Sequence, residues 1–239
     1  MKVIVVENYK EISKTVANIL CDEVLANPSA TLGLATGGTP LGCYQLLKEF
    51  CAAKKVSFAR VKTVNLDEYV GLAKSDSRSY AYYMRHNLFD GLDVDFNNTH
   101  IPNGVANVDE ECERYSKLLE QIPRDVQILG LGANGHIGFN EPYTPFDSRT
   151  HMVTLAASTV RDNARFFDSV DDVPRSAITM GIAEIMQAKK IILIASGEGK
   201  AQAVKDAVKG EITEACPASA LQKHPNCIVI VDAAAAKLL

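Results

Sequence analysis

The chain has 239 residues, 47% of them hydrophobic and 23% charged, so it can bury a substantial core and fits one domain running from 1 to 239. Its net charge of −4 and scattered Lys and Arg residues argue against long-range attraction to nucleic acid or to an anionic membrane, so an anionic ligand must be caught locally. The opening MKVIVVENYK has too short an apolar run for a signal peptide or membrane span, and six cysteines without a C-x-x-C pair give little support to a zinc site or disulfide framework; a cytoplasmic protein with reduced thiols is expected.

In chain order, short β-rich apolar runs alternate with segments of helical period. KVIVV (2–6) is followed by EISKTVANILCDEVLA, TLGLA (31–35) by LGCYQLLKEFCAA, and VKTVNL (61–66) by an excursion over 71–103 that reads as a helix flanked by loops. VDEECERYSKLLEQI then precedes VQILGL (126–131), and KIILIA (190–195), GKAQAVKDAVKG and CIVIVD (227–232) close the series. The helical segments place apolar residues three and four apart, while the strand runs are almost continuously apolar. That combination predicts an α/β fold: a mostly parallel sheet with helices on both faces.

Ligands of open α/β sheets bind outside the carboxyl ends of the strands. Four such ends carry unusual chemistry here. In LATGGTP (34–40), Gly37 and Gly38 let backbone N–H groups turn outward, Thr36 and Thr39 add hydroxyls, and a helix follows. This suits a phosphate, with a plain strand-to-helix turn as the alternative, and the lack of G-K-[ST] means that it is not a Walker loop. In NLDEY (65–69) adjacent acids at a strand end point to opposite sides, so one of Asp67 and Glu68 can enter the cleft as a general base while the other reaches solvent or a helix cap; a simple capping Asp is the alternative.

The third end is GANGHIGFNEP (132–142). Residues 130–135 match G-x-G-x-x-G, but Pro142 and Pro145 follow in place of a helix, and no acid closes a later strand at the distance a dinucleotide ribose needs, so no nucleotide is expected. The five histidines lack metal-ligand spacing, and no metal or cofactor is expected either. The glycines are expected to clear space for a substrate beside His136, which can exchange protons near neutral pH with Glu141 to orient it; a satisfied structural histidine is the plainer reading. At the fourth end, IASGEGKAQAV (194–204), Lys200 opens a helix, where a cation is unfavourable unless it meets an anion; a solvated surface Lys is the alternative.

Taken together, TGGTP, NLDEY, GANGHIGFNEP, RFF, SGEGKA and CPASALQKHPN, in that order along nearly the whole chain, closely resemble the glucosamine-6-phosphate deaminase family. The resemblance implies a modified Rossmann-like fold without a nucleotide, and a reaction in which glucosamine 6-phosphate and water give fructose 6-phosphate and ammonium. It assigns the C2 proton transfer to Asp67, pyranose ring opening to His136, and support of that histidine to Glu141. Asn134 stands where some members have Asp, so a full Asp-His-Glu relay does not carry over. Thr36, Gly37, Gly38, Thr39, Arg165 and Lys200 match the phosphate set, with Arg165 in a segment, TVRDNARFFDSV, that matches a mobile lid.

Larger members of the family are hexamers activated by N-acetylglucosamine 6-phosphate through basic residues after the catalytic loop. Here SRTHMVTL puts His151 and Val153 at those places, and the longer tail of those members is missing, so a non-allosteric monomer is expected. Two other families offer competing readings. The 6-phosphogluconolactonases share the fold but have Asp-Gly-His-Thr in the Gly-rich loop, where this chain has NGHIGFNEP. Sugar-phosphate sensors of transcriptional regulators add a helix-turn-helix domain, for which no length is spare, and need no Asp67, His136 and Glu141 together.

Overall fold

The computed structural model describes residues 1–164, 167 and 169–239. In chain order they form β1 (Lys2–Val6), α1 (Tyr9–Ala26), β2 (Thr31–Leu34), α2 (Leu41–Ala52), β3 (Lys62–Asn65), β4 (Asp67–Tyr69), α3 (Tyr80–Asn87), β5 (Thr99–His100) and α4 (Val108–Gln121). The second half adds β6 (Val126–Gly130), β7 (His151–Thr154), α5 (Ala157–Asn163), β8 (Ser176–Thr179), α6 (Ile182–Ile185), β9 (Ile191–Ala195), α7 (Ala201–Lys209) and β10 (Cys227–Asp232).

Seven strands form one parallel sheet in the order β1-β10-β9-β6-β2-β3-β5. Its central strands β9 (IILIA) and β10 (CIVIVD) are almost wholly apolar because both faces are covered. Alternate residues serve opposite faces: Ile128, Ile192 and Ile230 meet Val16, Leu20 and Leu47 of α1 and α2, whereas Leu129, Leu193 and Val231 lie in the cluster holding Leu119 of α4 and Val204 of α7. Helix α1 shows how local sequence sets this up. Asn8 caps it by accepting the Glu11 N–H at 3.1 Å, and its buried Ile12, Val16, Leu20 and Val24 recur every four residues on one face.

From β2 the chain steps outward to β3 and β5, then returns to β6 on the other side of β2 and continues to β9 and β10. The direction of winding therefore reverses between β2 and β6, and the crevice at their carboxyl ends is the place where such folds hold ligands.

A second, antiparallel sheet, β4-β8-β7, was not anticipated. It corrects the view of NLDEY as the end of one strand. Asn65 ends β3 in the large sheet, Leu66 accepts the Met180 N–H at 2.7 Å, and Asp67 begins β4, where it pairs with Thr179. Under this small sheet lies an apolar cluster of Tyr69, Phe139, Leu155, Val160 and Ala177, with Val153 packed against it. Among the described residues, no helix is long and apolar enough to cross a membrane.

Candidate active site

The loop after β2 is held by tyrosines from three helices. Tyr44 of α2 donates to Ala35 O at 2.5 Å, Tyr83 of α3 to Gly37 O at 2.6 Å, and Tyr9 of α1 to Gly38 O and Thr39 O at 3.1 and 3.0 Å. The loop carbonyls, which would repel an anion, are thereby engaged by hydroxyl groups. Gly37 sits at φ +87°, a left-handed conformation that glycine adopts without strain. The result is a turn whose N–H groups and Thr36 and Thr39 hydroxyls are the natural contacts for a phosphate at the start of α2.

Asp67 and Glu68 have been sent to opposite sides of β4, as alternation along a strand requires. Glu68 accepts the N–H groups of Tyr69, Tyr80 and Ala81 at 2.9, 2.8 and 2.9 Å, which ties it to the first turn of α3. Burial pushes its carboxyl up to about 7 against the pull of those three donors. Asp67 lines the cavity yet is only 6% exposed, and burial, reinforced by the neighbouring Glu68 charge, pushes it up to about 8. A carboxylate in that position is a much stronger base than a solvated one.

The stretch 130–141 is a compact loop. Gly132 N–H donates to His136 O at 2.9 Å and Gly135 N–H to Gly132 O at 3.0 Å, while Ala218 N–H holds Gly135 O at 2.9 Å. Gly132 and Gly138 line the cavity, and the glycines of this loop also make room for the protein's own groups. A Cβ on Gly132 would lie 2.3 to 2.5 Å from three atoms of the His136 ring, and one on Gly135 would lie 2.7 Å from Cys216 Sγ. Gly135 and Gly138 also take φ values of +85° and +58°.

Glu141 gathers the side chains of this loop. His136 Nδ1 lies 3.6 Å from its Oε2, at ion-pair rather than hydrogen-bond range, with the two side chains 20% and 12% exposed. Asn134 Nδ2 donates to the same Oε2 at 2.8 Å, and Thr159 donates its hydroxyl to Oε1. Burial works against the charge on Glu141, but His136, Thr159 and Asn134 outweigh it and hold the carboxyl at about 2. The side-chain Oδ1 of Asn134 accepts the main-chain N–H of His136 at 3.2 Å. Its neutral amide thus supports Glu141 where a second carboxylate would repel it.

Lys200 reaches the same cavity from the far side of the switch point. Asp232, at the end of β10, sets its loop by accepting the Ser196 hydroxyl at 2.5 Å and the Gly197 N–H at 3.0 and 3.1 Å. A cavity of about 320 Å³ brings together Thr36, Gly37, Gly38, Thr39, Asp67, His136 and Lys200. Asn134 and Glu141 stand behind His136 and do not line it, and Arg165 lies outside the described residues.

Several lining residues were not anticipated. Arg78 faces the cavity while its Nε and Nη2 bind Asp76 at 2.9 and 2.8 Å, and the stacked rings of Tyr80 and Phe139, 6.0 Å apart, form an apolar wall. Thr159 adds a hydroxyl beside Glu141. Among the described residues, no group of three or more His, Cys, Asp or Glu side chains is arranged to hold a metal ion.

A concave site of this volume, with a glycine-containing loop and a cation around a buried carboxylate and a histidine, has the make-up of an enzyme site suited to a small phosphorylated molecule and to proton transfer. Comparison with known proteins gives the family. Residues 7–230 match the family of glucosamine-6-phosphate isomerases and 6-phosphogluconolactonases, and the chain belongs to it. It is 52% identical over 241 residues to a glucosamine-6-phosphate deaminase of Clostridium perfringens, covering all of both chains. The fold superposes with TM-score 0.98 on a monomeric glucosamine-6-phosphate deaminase, 46% identical and fully covered. A 6-phosphogluconolactonase from Trypanosoma brucei, with TM-score 0.81 and 18% identity over 100% of this chain and 98% of that one, shares the fold.

Proposed function

We propose that this chain is a glucosamine-6-phosphate deaminase acting as a single domain, converting glucosamine 6-phosphate and water to fructose 6-phosphate and ammonium. The observation that carries the reading is the placement of Asp67, His136, the 36–39 loop and Lys200 around one cavity at the switch point of the sheet.

The phosphate is assigned to the N–H groups and hydroxyls of Thr36, Gly37, Gly38 and Thr39, with Lys200 supplying charge and Arg165 completing the set. His136 moves a proton at the ring oxygen to open the pyranose, held by Glu141, which Asn134 and Thr159 keep anionic. In the open aldehyde the C2 hydrogen is acidic. Asp67 takes it, the electron pair passes into the enol, and delivery of the proton to C1 leaves an imine at C2. Water adds to that imine, and ammonia leaves as the C2 ketone forms. The substrate ammonium beside Asp67 favours its ionised form, which offsets the burial that otherwise keeps it protonated. These steps use side chains and water alone.

We further propose a cytoplasmic monomer without allosteric activation; the monomeric deaminase of nearly identical fold supports the monomeric state alone. The deciding assay follows ammonium and fructose 6-phosphate release from glucosamine 6-phosphate by the purified chain, beside hydrolysis of 6-phosphogluconolactone. Release of both products without lactone turnover is expected, and lactone turnover alone would reject the reading. Replacing Asp67 by Asn should lower kcat by at least about 10²-fold.

A further inference from the structure

We propose that Thr179 is a positioning residue for this reaction: its hydroxyl fixes the separation between the strand that carries Asp67 and the loop that carries His136. The inference rests on the reading of Asp67 as the general base.

Thr179 ends β8 directly opposite Asp67 of β4 in the antiparallel pair. Residues so paired project from the same face of a sheet with Cβ atoms about 4.5–5.5 Å apart, so the threonine stands beside the carboxylate. It is 0% exposed, between Ile178 and Met180, which are equally buried. A valine would fill the same volume there, and an unbonded hydroxyl in such surroundings is costly. The hydroxyl is bonded: Oγ1 accepts the N–H of Phe139, three residues beyond His136, at 3.1 Å.

The backbone at Gly138 shows how closely these parts converge. A Cβ placed there would lie 3.0 Å from Thr179 Oγ1, 3.5 Å from Asn140 Nδ2 and 3.6 Å from Asp67 Oδ2. Asn140 adds a parallel tie, since its Nδ2 donates to Ile137 O in the loop and to Met180 O after Thr179, both at 2.9 Å. The loop is therefore fastened to Thr179, which ends β8, and to the residue after it, and β8 is the strand that holds β4.

The chemistry makes this joint matter. His136 works at the ring oxygen and Asp67 at C2, so one bound sugar must present both atoms to groups on separate elements. Misplacement of a catalytic group by about 1 Å costs on the order of 10²-fold in rate. The phosphate loop lies elsewhere, after β2, so substrate anchoring is independent of the joint.

The test measures kcat and KM for glucosamine 6-phosphate in the wild type, Thr179→Val, Thr179→Ser and Asp67→Asn. Thr179→Val removes the acceptor at constant shape and is expected to lower kcat at least ~10-fold with KM within ~3-fold, while Thr179→Ser stays within ~3-fold of wild type. Full kcat in Thr179→Val, a change confined to KM, or a serine variant as slow as the valine one would each overturn the proposal. Should Thr179→Val not fold, Thr179→Cys, of similar size and weaker acceptor strength, takes its place with the same expectations. Wild-type turnover in Asp67→Asn would remove the base assignment and this inference together, whereas an inactive Asp67→Asn beside a fully active Thr179→Val sinks the positioning role alone.

Discussion

The imidazole of His136 occupies the space that a side chain on Gly132 would need, three of its ring atoms lying 2.3 to 2.5 Å from the position of a Cβ there. The glycine thus belongs to the histidine more than to the substrate. Gly132→Ala should push the ring away from Glu141 and lower kcat by roughly 10- to 10²-fold. Protection of the variant against thermal unfolding by inorganic phosphate should be unchanged, because the 36–39 loop is untouched. An alanine variant with normal turnover would show that the ring need not sit where it does.

Asp67→Asn should stabilise the fold while removing activity. Burial raises the folded-state carboxyl to about 8, whereas an unfolded Asp titrates near 4. Below about pH 4 both states are protonated and the group costs nothing; as the pH climbs toward 8 the folded state holds back protons that the unfolded state has released, and stability falls. Relative to wild type, the variant should gain roughly 3 °C or more in Tm at about pH 8.5, and nearly nothing at about pH 4. A gain independent of pH would contradict the burial of a titrating group.

Asn134→Asp tests the neutral amide beside Glu141. A second carboxylate in place of the amide that now donates at 2.8 Å would repel Glu141, which is held at about 2 by the His136 ring and the Thr159 and Asn134 donors. The Glu141 carboxyl should titrate higher by on the order of one pH unit, followed by carboxyl-carbon NMR, while the acidic limb of the kcat profile stays where Asp67 sets it. An unmoved Glu141 titration would mean that Glu141 does not depend on its amide neighbour.

Kinetics in glucosamine 6-phosphate should be hyperbolic and indifferent to N-acetylglucosamine 6-phosphate. Val153 packs against the apolar cluster beneath the small sheet, and His151 Nδ1 lies 2.8 Å from Arg149 O, so neither position presents a basic side chain to a second phosphate in the way the larger relatives would require. Light scattering should return the mass of one chain. Sigmoidal rates abolished by the acetylated sugar phosphate would reverse this expectation.

Legibility in the sequence followed strand length and burial. The run CIVIVD was read with the bounds it has, because a strand buried on both faces is apolar at every position. Strands β4, β7 and β8 span only three or four residues of mixed polarity, too few to show a period, and β4 finds its partner more than a hundred residues away. Hence the break at Leu66, which moves Asp67 from one sheet to another, left no local mark. The same division holds in the site. Glycine-rich strand ends advertise themselves, and the 36–39 loop, Asp67, His136 and Lys200 all line one cavity. Arg78 sits in the polar stretch SDSRSY and Thr159 on a short helix, where nothing in residue type or spacing separates a cavity wall from ordinary surface.

Tyr9, Tyr44 and Tyr83 each come from a different helix, yet all fasten the same turn over residues 35–39. The shape of that turn is consequently a readout of how α1, α2 and α3 pack on the sheet, and ordering it is completed during folding and not on ligand arrival. Two consequences follow for how such a chain diverges. Affinity for the phosphate cannot drift independently of the helical layer, so a substitution deep in α1 will surface as a changed apparent affinity. Conversely, a ligand held there should slow the local opening of all three helices at once, turning a small anion into a brace for that whole face of the molecule.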